Sequence, residues 1–125
     1  MKKTAVVTGG SQGIGAQTAL LFAEKGYQVA LLYKTQKEKA EEVVELIERL
    51  GGTAKAFACN VSCAEDVHQT FSTIEKEMYT VDVLVNNAGI ARQMLFTDIS
   101  TTQWQEMINT NLSSVFYCSK AVLPN

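Results

Sequence analysis

The chain has 125 residues, of which 46% are hydrophobic, and a formal net charge of −2, which suits one globular domain. The slight acidity argues against a basic face for nucleic acid and against a polybasic membrane anchor. The apolar runs are far shorter than the roughly 18 residues of a membrane-spanning helix, and the one after Lys3 is too short for a signal peptide, so we expect a cytoplasmic protein without nucleic-acid or membrane partners.

The first third of the sequence predicts a strand, a helix and a second strand. Residues 4–8 form a short run rich in β-branched side chains, which predicts a buried strand that enters a glycine turn. A helix is expected over 14–25, with Gly26 as its stop signal. The apolar run at 28–33 predicts the second buried strand.

The alternation of helices and strands continues to the end of the chain. A helix is predicted at 37–50 and a strand at 53–59. A second helix is predicted at 64–78 and a further strand at 81–85. A last helical segment begins near Thr101 and continues or restarts toward Leu123. The inner faces predicted for the two amphipathic helices are Ala40, Val43, Val44, Ile47 and Leu50 in one, and Val67, Phe71, Ile74 and Met78 in the other.

Successive strand–helix–strand units predict an α/β protein with a Rossmann-type, doubly wound parallel sheet. Right-handed crossovers place the strands in the order 3-2-1-4. The order reverses between strands 1 and 4, and ligands bind at the carboxyl ends of the strands at such a switch point. Two loops border that point, the glycine-rich turn at 9–15 and the Asn-Asn-Ala-Gly loop at 86–89.

The glycine-rich turn predicts a dinucleotide site. Gly9 allows a tight turn, Gly13 lets a pyrophosphate approach the backbone, and Gly15 lets the helix pack closely on the sheet. The N–H groups and positive dipole end of the helix then face the phosphates. The alternative is a glycine turn without a ligand. An NTPase is disfavoured because no Gly-Lys-Ser/Thr follows the turn.

The end of the second strand bears on the choice of dinucleotide. An NAD site usually has an Asp or Glu about 20 residues beyond the glycines, to hold the ribose 2′-hydroxyl. Here the stretch after Tyr33 begins with Lys34 and has no carboxylate before Lys37. We therefore expect Tyr33 and Lys34 to bind the cofactor and Lys34, with Lys37 as a second cation, to pair with a 2′-phosphate, so NADP(H) is favoured over NAD(H). The alternative is that Lys34 is only a solvated loop residue.

The three cysteines, Cys59, Cys63 and Cys118, are an odd number without signs of secretion, which argues against a disulfide framework. Cys59, Cys63 and His68 form an incomplete metal-ligand set, because a fourth ligand is missing. We expect no metal site, buried or half-buried inert thiols, and His68 on the surface.

Three motifs resemble the short-chain dehydrogenase/reductases, in order and at family-like spacing over the whole chain. They are Thr-Gly-x-x-x-Gly-x-Gly at 8–15, Asn-Asn-Ala-Gly at 86–89, and Asn111 within Asn-Thr-Asn-Leu-Ser-Ser-Val-Phe. The segment 87–92 also resembles the beta-ketoacyl-acyl-carrier-protein reductases of that family. The resemblance implies hydride transfer between NADP(H) and a carbonyl or alcohol substrate, with a 3-oxoacyl thioester as the candidate.

The resemblance also implies roles for individual residues. Asn60 and Val61 match the pair that flanks the adenine, where the family more often has Asp-Val, and Asn111 matches a catalytic asparagine that orders a water in the proton relay. The alternative for Asn111 is a helix cap or kink. Gln12 departs from NADP-preferring members, many of which have a basic residue there. The cofactor-binding set is Gly9, Ser11, Gln12, Gly13, Ile14, Gly15, Tyr33, Lys34, Asn60, Val61, Asn87, Ala88 and Gly89.

One part of the family pattern is absent from this sequence. The family's serine and its Tyr-x-x-x-Lys should follow the last helix, and none of the four tyrosines here has a lysine four residues later. Residues 1–125 are therefore expected to be a dinucleotide-binding domain that is truncated at its C-terminal end, lacks the later strands and is inactive alone. The exposed fourth strand predicts self-association into a homo-oligomer. The alternative function is a non-catalytic dinucleotide-binding or interaction module.

Overall fold

The computed structural model describes residues 2–88 and 99–123. Strands and helices alternate as the sequence predicts, and every predicted boundary lies within about a residue of the observed one. The last helical segment is continuous, because a π-helical turn at Asn109–Ser113 joins its two halves. The elements are β1 (Thr4–Thr8), α1 (Gly13–Glu24), β2 (Gln28–Tyr33), α2 (Lys37–Arg49), β3 (Thr53–Ala58), α3 (Ala64–Met78), β4 (Val81–Val85), α4 (Thr101–Ile108) and α5 (Ser114–Val122).

The four strands form one parallel sheet in the order β3-β2-β1-β4, which confirms the predicted topology. Val6 of β1 pairs with Ala30 of β2 on one side and Leu84 of β4 on the other. All five residues of β1 are buried, because helices cover both faces of the sheet. The switch point therefore lies between β1 and β4, as predicted.

Alternate side chains of each strand point to opposite faces of the sheet, so the core has two halves. One half packs α1 and α2 against the sheet, and the other packs α3 and α5 against it. The first half contains Val7, Val29, Leu31, Ala19 and Ile47, and the second contains Val6, Ala30, Leu32, Val67, Phe71, Ile74 and Cys118.

The inner face predicted for α3 is confirmed, since Val67, Phe71, Ile74 and Met78 are all buried. The inner face predicted for α2 is wrong at one position. Leu50 is 75% exposed, because α2 ends at Arg49 and Leu50 leads into Gly51, whose φ is +89°. Past the helix end, the side chain no longer follows the 3.6-residue period.

Hydrogen bonds close the amino-terminal edge of the sheet. The Thr4 hydroxyl donates to the carbonyl of Met78 at 2.6 Å, and the Gln28 amide donates to both of those oxygens. Asp82 lies at a register shift between β1 and β4, and its carboxylate accepts the Thr4 N–H at 2.8 Å. Among the described helices, none is long and apolar enough to cross a membrane.

Candidate dinucleotide site

The glycine turn after β1 is held against β2 and against its own helix. The N–H groups of Gly9 and Gly10 donate to the carbonyl of Leu32, at 3.0 and 3.3 Å. Gly9 has a φ of +64°, a conformation that favours glycine. A Cβ on Gly15 would lie 2.1 Å from the Gly9 carbonyl oxygen, so only glycine permits this close packing of α1.

The outer side of the same turn is open. Gly13 has a φ of +59°, and a Cβ built on it meets no atom of the described residues within 4 Å. Ser11 is half-buried, whereas Gln12 and Ile14 are exposed. In the part of the chain that the structure describes, α1 has neither a side-chain N-cap nor an acidic residue in its first turn. Its first N–H groups and dipole are therefore available to an anion.

The loop after β4 is fastened to the glycine turn by Thr8, whose side chain is buried. The Thr8 hydroxyl oxygen accepts the N–H groups of Asn87 and Ala88, both at 2.9 Å. The Asn87 side-chain amide donates in return to the Gly9 carbonyl at 3.1 Å. The two loops predicted to border the switch point are thus joined, while Gly89 lies outside the described residues. This role of Thr8 was not predicted, although Thr8 is the first residue of the motif at 8–15.

The end of β2 borders a cleft. Tyr33 is half-buried and Lys34 is exposed. Lys34 and Ser62 line a cleft of about 490 Å³, whose other wall is formed by α4 and the start of the π turn. Lys37, the second cation that the sequence proposed, is 3.9 Å from the carboxylate of Glu41.

Asn60 stands at the end of β3, close to this cleft, and Val61 beside it is buried. The Asn60 side-chain oxygen already accepts the Ser62 N–H at 3.2 Å and the Ser62 hydroxyl at 2.6 Å. The Asn60 N–H donates to the Asp66 carboxylate at 2.6 Å. An adenine amino group would therefore compete with Ser62 for the Asn60 oxygen, a contact that sequence reasoning did not foresee.

Asn111 is exposed in the middle of the π turn. The Ser114 hydroxyl donates to the Thr110 carbonyl at 2.5 Å, which gives a partner to a carbonyl in the widened turn. Ser119 lies eight residues after Asn111, and its hydroxyl accepts a hydrogen bond from the Asn86 side-chain amide at 3.4 Å. Because α4 borders the Lys34 cleft and α5 touches Asn86, the helix carries Asn111 along the carboxyl edge of the sheet.

The cysteines lie apart from this chemistry. Cys59 and Cys118 are buried, as expected, but Cys63 is exposed, so the expectation that all three thiols are buried or half-buried is wrong for Cys63. Cys63 precedes α3 as its N-cap residue, which places it at the surface. His68 is exposed, as predicted. Over 2–88 and 99–123, no three His, Cys, Asp or Glu side chains are grouped to hold a metal.

Thr8→Val tests the connection between the two loops. The substitution keeps the β-branched shape but removes the acceptor of two N–H groups, so we expect a loss of about 2–4 kcal/mol in the free energy of unfolding, measured in urea. Thr8→Ser retains the hydroxyl and is expected to lose far less. Thr73→Val on the exposed face of α3 is the control, with a change of about 0.5 kcal/mol or less. A Thr8→Val protein as stable as Thr8→Ser would contradict the role.

The thiols are expected to react at different rates. Burial raises the pKa of Cys59 from 9.0 to about 11 and that of Cys118 to about 12. At pH 8 a thiol reagent should modify one group per chain rapidly, and Cys63→Ser should abolish that fast phase. Because both folded pKa values are raised, their contribution to stability is complete below pH 9 and declines as the pH rises through 11. Rapid modification of two thiols in the folded chain would contradict this assignment.

Comparison with known proteins agrees with the fold. The family model of the short chain dehydrogenases matches residues 3–125. The 3-oxoacyl-[acyl-carrier-protein] reductase FabG of Staphylococcus epidermidis is 43% identical over 124 residues, which cover 99% of this chain and 51% of that protein. The 3-oxoacyl-[acyl-carrier-protein] reductase of Synechocystis is 42% identical over 96% of this chain and 49% of its own length.

Solved structures give the same result. A dehydrogenase/reductase from Sinorhizobium meliloti superposes with a TM-score of 0.95 at 34% identity, over 98% of this chain and 49% of that one. A double mutant of a Serratia marcescens short-chain dehydrogenase/reductase gives 0.93 at 30% identity, over 98% and 50%. The chain thus spans about half the length of the proteins it matches. With its sheet order, its two joined loops and these matches, the chain belongs to the short-chain dehydrogenase/reductase family of oxidoreductases.

Proposed function

We propose that residues 1–125 form the cofactor-binding part of an NADP(H)-dependent carbonyl reductase. The observation that carries the proposal is the N-terminus of α1, which has no side-chain cap in the described part of the chain and opens beside Gly13. A pyrophosphate fits there because backbone N–H groups and the helix dipole are both directed at it. The bound nicotinamide supplies the hydride acceptor or donor, and this chain supplies the binding surface.

The remaining cofactor contacts follow the edge of the sheet. Gly9, Ser11, Gly13, Ile14 and Gly15 would surround the pyrophosphate, and Gln12 would contact the cofactor at the rim of the same turn. Asn60 and Val61 would flank the adenine, and the loop of Asn87, Ala88 and Gly89 would lie along the adenosine ribose and the central strand. These residues follow β1, β3 and β4, whose carboxyl ends lie along one edge of the parallel sheet. An extended dinucleotide therefore has a continuous surface over the switch point.

The preference for NADP(H) rests on charge at the end of β2. Lys34 is exposed and lines the cleft together with Ser62, and no carboxylate stands between Tyr33 and Lys37 in the sequence. A 2′-phosphate would gain a cation there, whereas a ribose 2′-hydroxyl would lack the acceptor that NAD sites provide.

Asn111 is the residue of this chain proposed to act in catalysis. The π turn sets it on the helix that passes the carboxyl edge, and π turns of this kind are frequent at functional sites. Its amide would order a water that carries a proton between solvent and the reacting oxygen. The tyrosine and lysine that complete such a relay have no counterpart in residues 1–125.

The proposed substrate is a 3-oxoacyl thioester. The support is the 42–44% identity to proteins named 3-oxoacyl-[acyl-carrier-protein] reductases, over nearly the whole of this chain. Reduction would convert the 3-oxo group to a hydroxyl, with a hydride from NADPH and a proton from the relay. Residues 1–125 alone are proposed to bind the cofactor without turnover.

Titration of the purified chain with NADPH and NADH, followed by nucleotide fluorescence, tests the cofactor site. We expect saturable binding of both, tighter for NADPH, and no NADPH oxidation with a 3-oxoacyl thioester. Gly15→Ala should abolish binding, because its Cβ would overlap the Gly9 carbonyl. Gly51→Ala is the control, because it strains a glycine of φ +89° at the opposite end of the sheet and should leave nucleotide binding unchanged.

Four outcomes would change the proposal. Equal or tighter binding of NADH would overturn the NADP(H) preference. No binding of either nucleotide by the folded chain would overturn the dinucleotide site. Turnover by residues 1–125 that Asn111→Ala abolishes would show that the chain is catalytically complete. Binding without turnover by the protein at its full length would favour the non-catalytic module instead.

Self-association is proposed through the outer face of α5 and the π turn. Leu112, Val115, Phe116 and Leu123 are exposed there. Val115 and Phe116 lie three and four residues after Leu112, and Leu123 lies seven residues after Phe116, a spacing that places them on one face. β4 also has no second strand neighbour in the described sheet. Both features predict a homo-oligomer.

Multi-angle light scattering tests this interface. We expect an oligomer for the unaltered protein and a shift toward monomer for Leu112→Asp with Phe116→Asp. Leu50→Asp, which places the same charge at an exposed leucine elsewhere, should leave the mass unchanged. A monomeric unaltered protein across the micromolar range would contradict the proposal.

A further inference from the structure

Lys39 connects the two helices that begin at the carboxyl edge of the sheet. Its ammonium group donates to the Gln12 side-chain oxygen at 2.8 Å. Gln12 is the N-cap residue of α1, and Lys39 lies in the first turn of α2. Both side chains are exposed. The bond therefore brings a cation from α2 to the rim of the glycine turn, from a position 27 residues away in sequence.

The charge of Lys39 is not compensated by this contact. The ion pairs found over 2–88 and 99–123 are Lys37–Glu41, Arg49–Glu45 and Lys55–Glu77, so Lys39 is in none of them. Its partner is a neutral amide oxygen, which orients an ammonium group without cancelling its charge. Lys37 is two residues away but is paired with Glu41. Of these two lysines of α2, Lys39 is the one positioned to receive an anion.

The position of this charge fits a phosphate on the adenosine ribose. The Gly9 and Gly10 N–H groups bond to the Leu32 carbonyl, so the end of β2 lies directly beside the glycine turn. Lys34 follows that strand end on one side, and the Gln12–Lys39 contact lies at the turn itself. The acidic residue of the same helical turn is Glu38, and adjacent residues of a helix do not share a face.

We propose that Lys39, oriented by Gln12, is a specificity-determining residue that binds the 2′-phosphate of NADP(H) together with Lys34. The inference rests on the proposed dinucleotide site. Gln12 then has a role of its own, because its neutral side chain holds a cation from α2 at the rim of the glycine turn.

The test compares two probes that differ only in the phosphate, 2′,5′-ADP and 5′-AMP, by isothermal titration calorimetry on the full-length protein. Loss of one charged hydrogen-bond partner should weaken 2′,5′-ADP roughly tenfold or more in Lys39→Gln, with 5′-AMP unchanged within about twofold. Lys39→Arg should retain most of the affinity. Gln12→Ala should weaken 2′,5′-ADP by a smaller factor, because the cation remains but is no longer oriented.

Lys25→Gln is the matched control, since it removes an exposed lysine at the far end of α1 and should change neither probe. Circular dichroism establishes that each variant is folded. Equal weakening of both probes, or of neither, in Lys39→Gln would overturn the role of Lys39 while the dinucleotide site stands. Failure of the unaltered protein to bind either probe would overturn the dinucleotide site, and the inference with it.

Discussion

The hydrogen bonds of the Thr8 hydroxyl hold the site together. Strand order reverses between β1 and β4, so the two loops leave the sheet from neighbouring strands that are about 80 residues apart in sequence. The ladder hydrogen bonds end with the strands and cannot fix the loops. A buried hydroxyl that accepts two N–H groups, and an Asn87 amide that returns one bond to Gly9, replace the ladder there. Side-chain hydrogen bonds thus join the two loops beyond the point where the backbone hydrogen bonds of the sheet end.

The close approach of the glycine turn also decides which residues α1 buries. Gly15 sits against the Gly9 carbonyl, so this side of the helix has room only for small residues, and Gly15 and Ala19 are the two that are buried. Ile14 and Leu21 are exposed as a result. The helix gains less apolar burial than α3 does, and in exchange its N-terminus reaches the position where a phosphate would bind.

The sequence predicts the sheet well because buried parallel strands and amphipathic helices repeat with different periods, and right-handed crossovers leave few strand orders. It predicts the site loops because their glycines follow a strand. Sequence patterns fail where a contact joins distant positions. Lys39 and Gln12 meet only after α1 and α2 are placed side by side. The Asn60–Ser62 contact is local, but no pattern of the sequence marks Ser62 as the partner of the Asn60 oxygen. Leu50 was misassigned because helix periodicity extends no further than the helix.

The π turn separates two parts of one continuous helix that have different surroundings. Before the turn, α4 buries no side chain and borders the cleft at Lys34; after it, Ser114 and Cys118 of α5 pack against the core. A wider turn shifts the phase of the residues that follow, so the inward side of α5 need not continue the inward side of α4. Asn111 lies where the phase changes. A regular α-helix would carry one face through both segments, so the turn lets core packing and the placement of Asn111 be set independently.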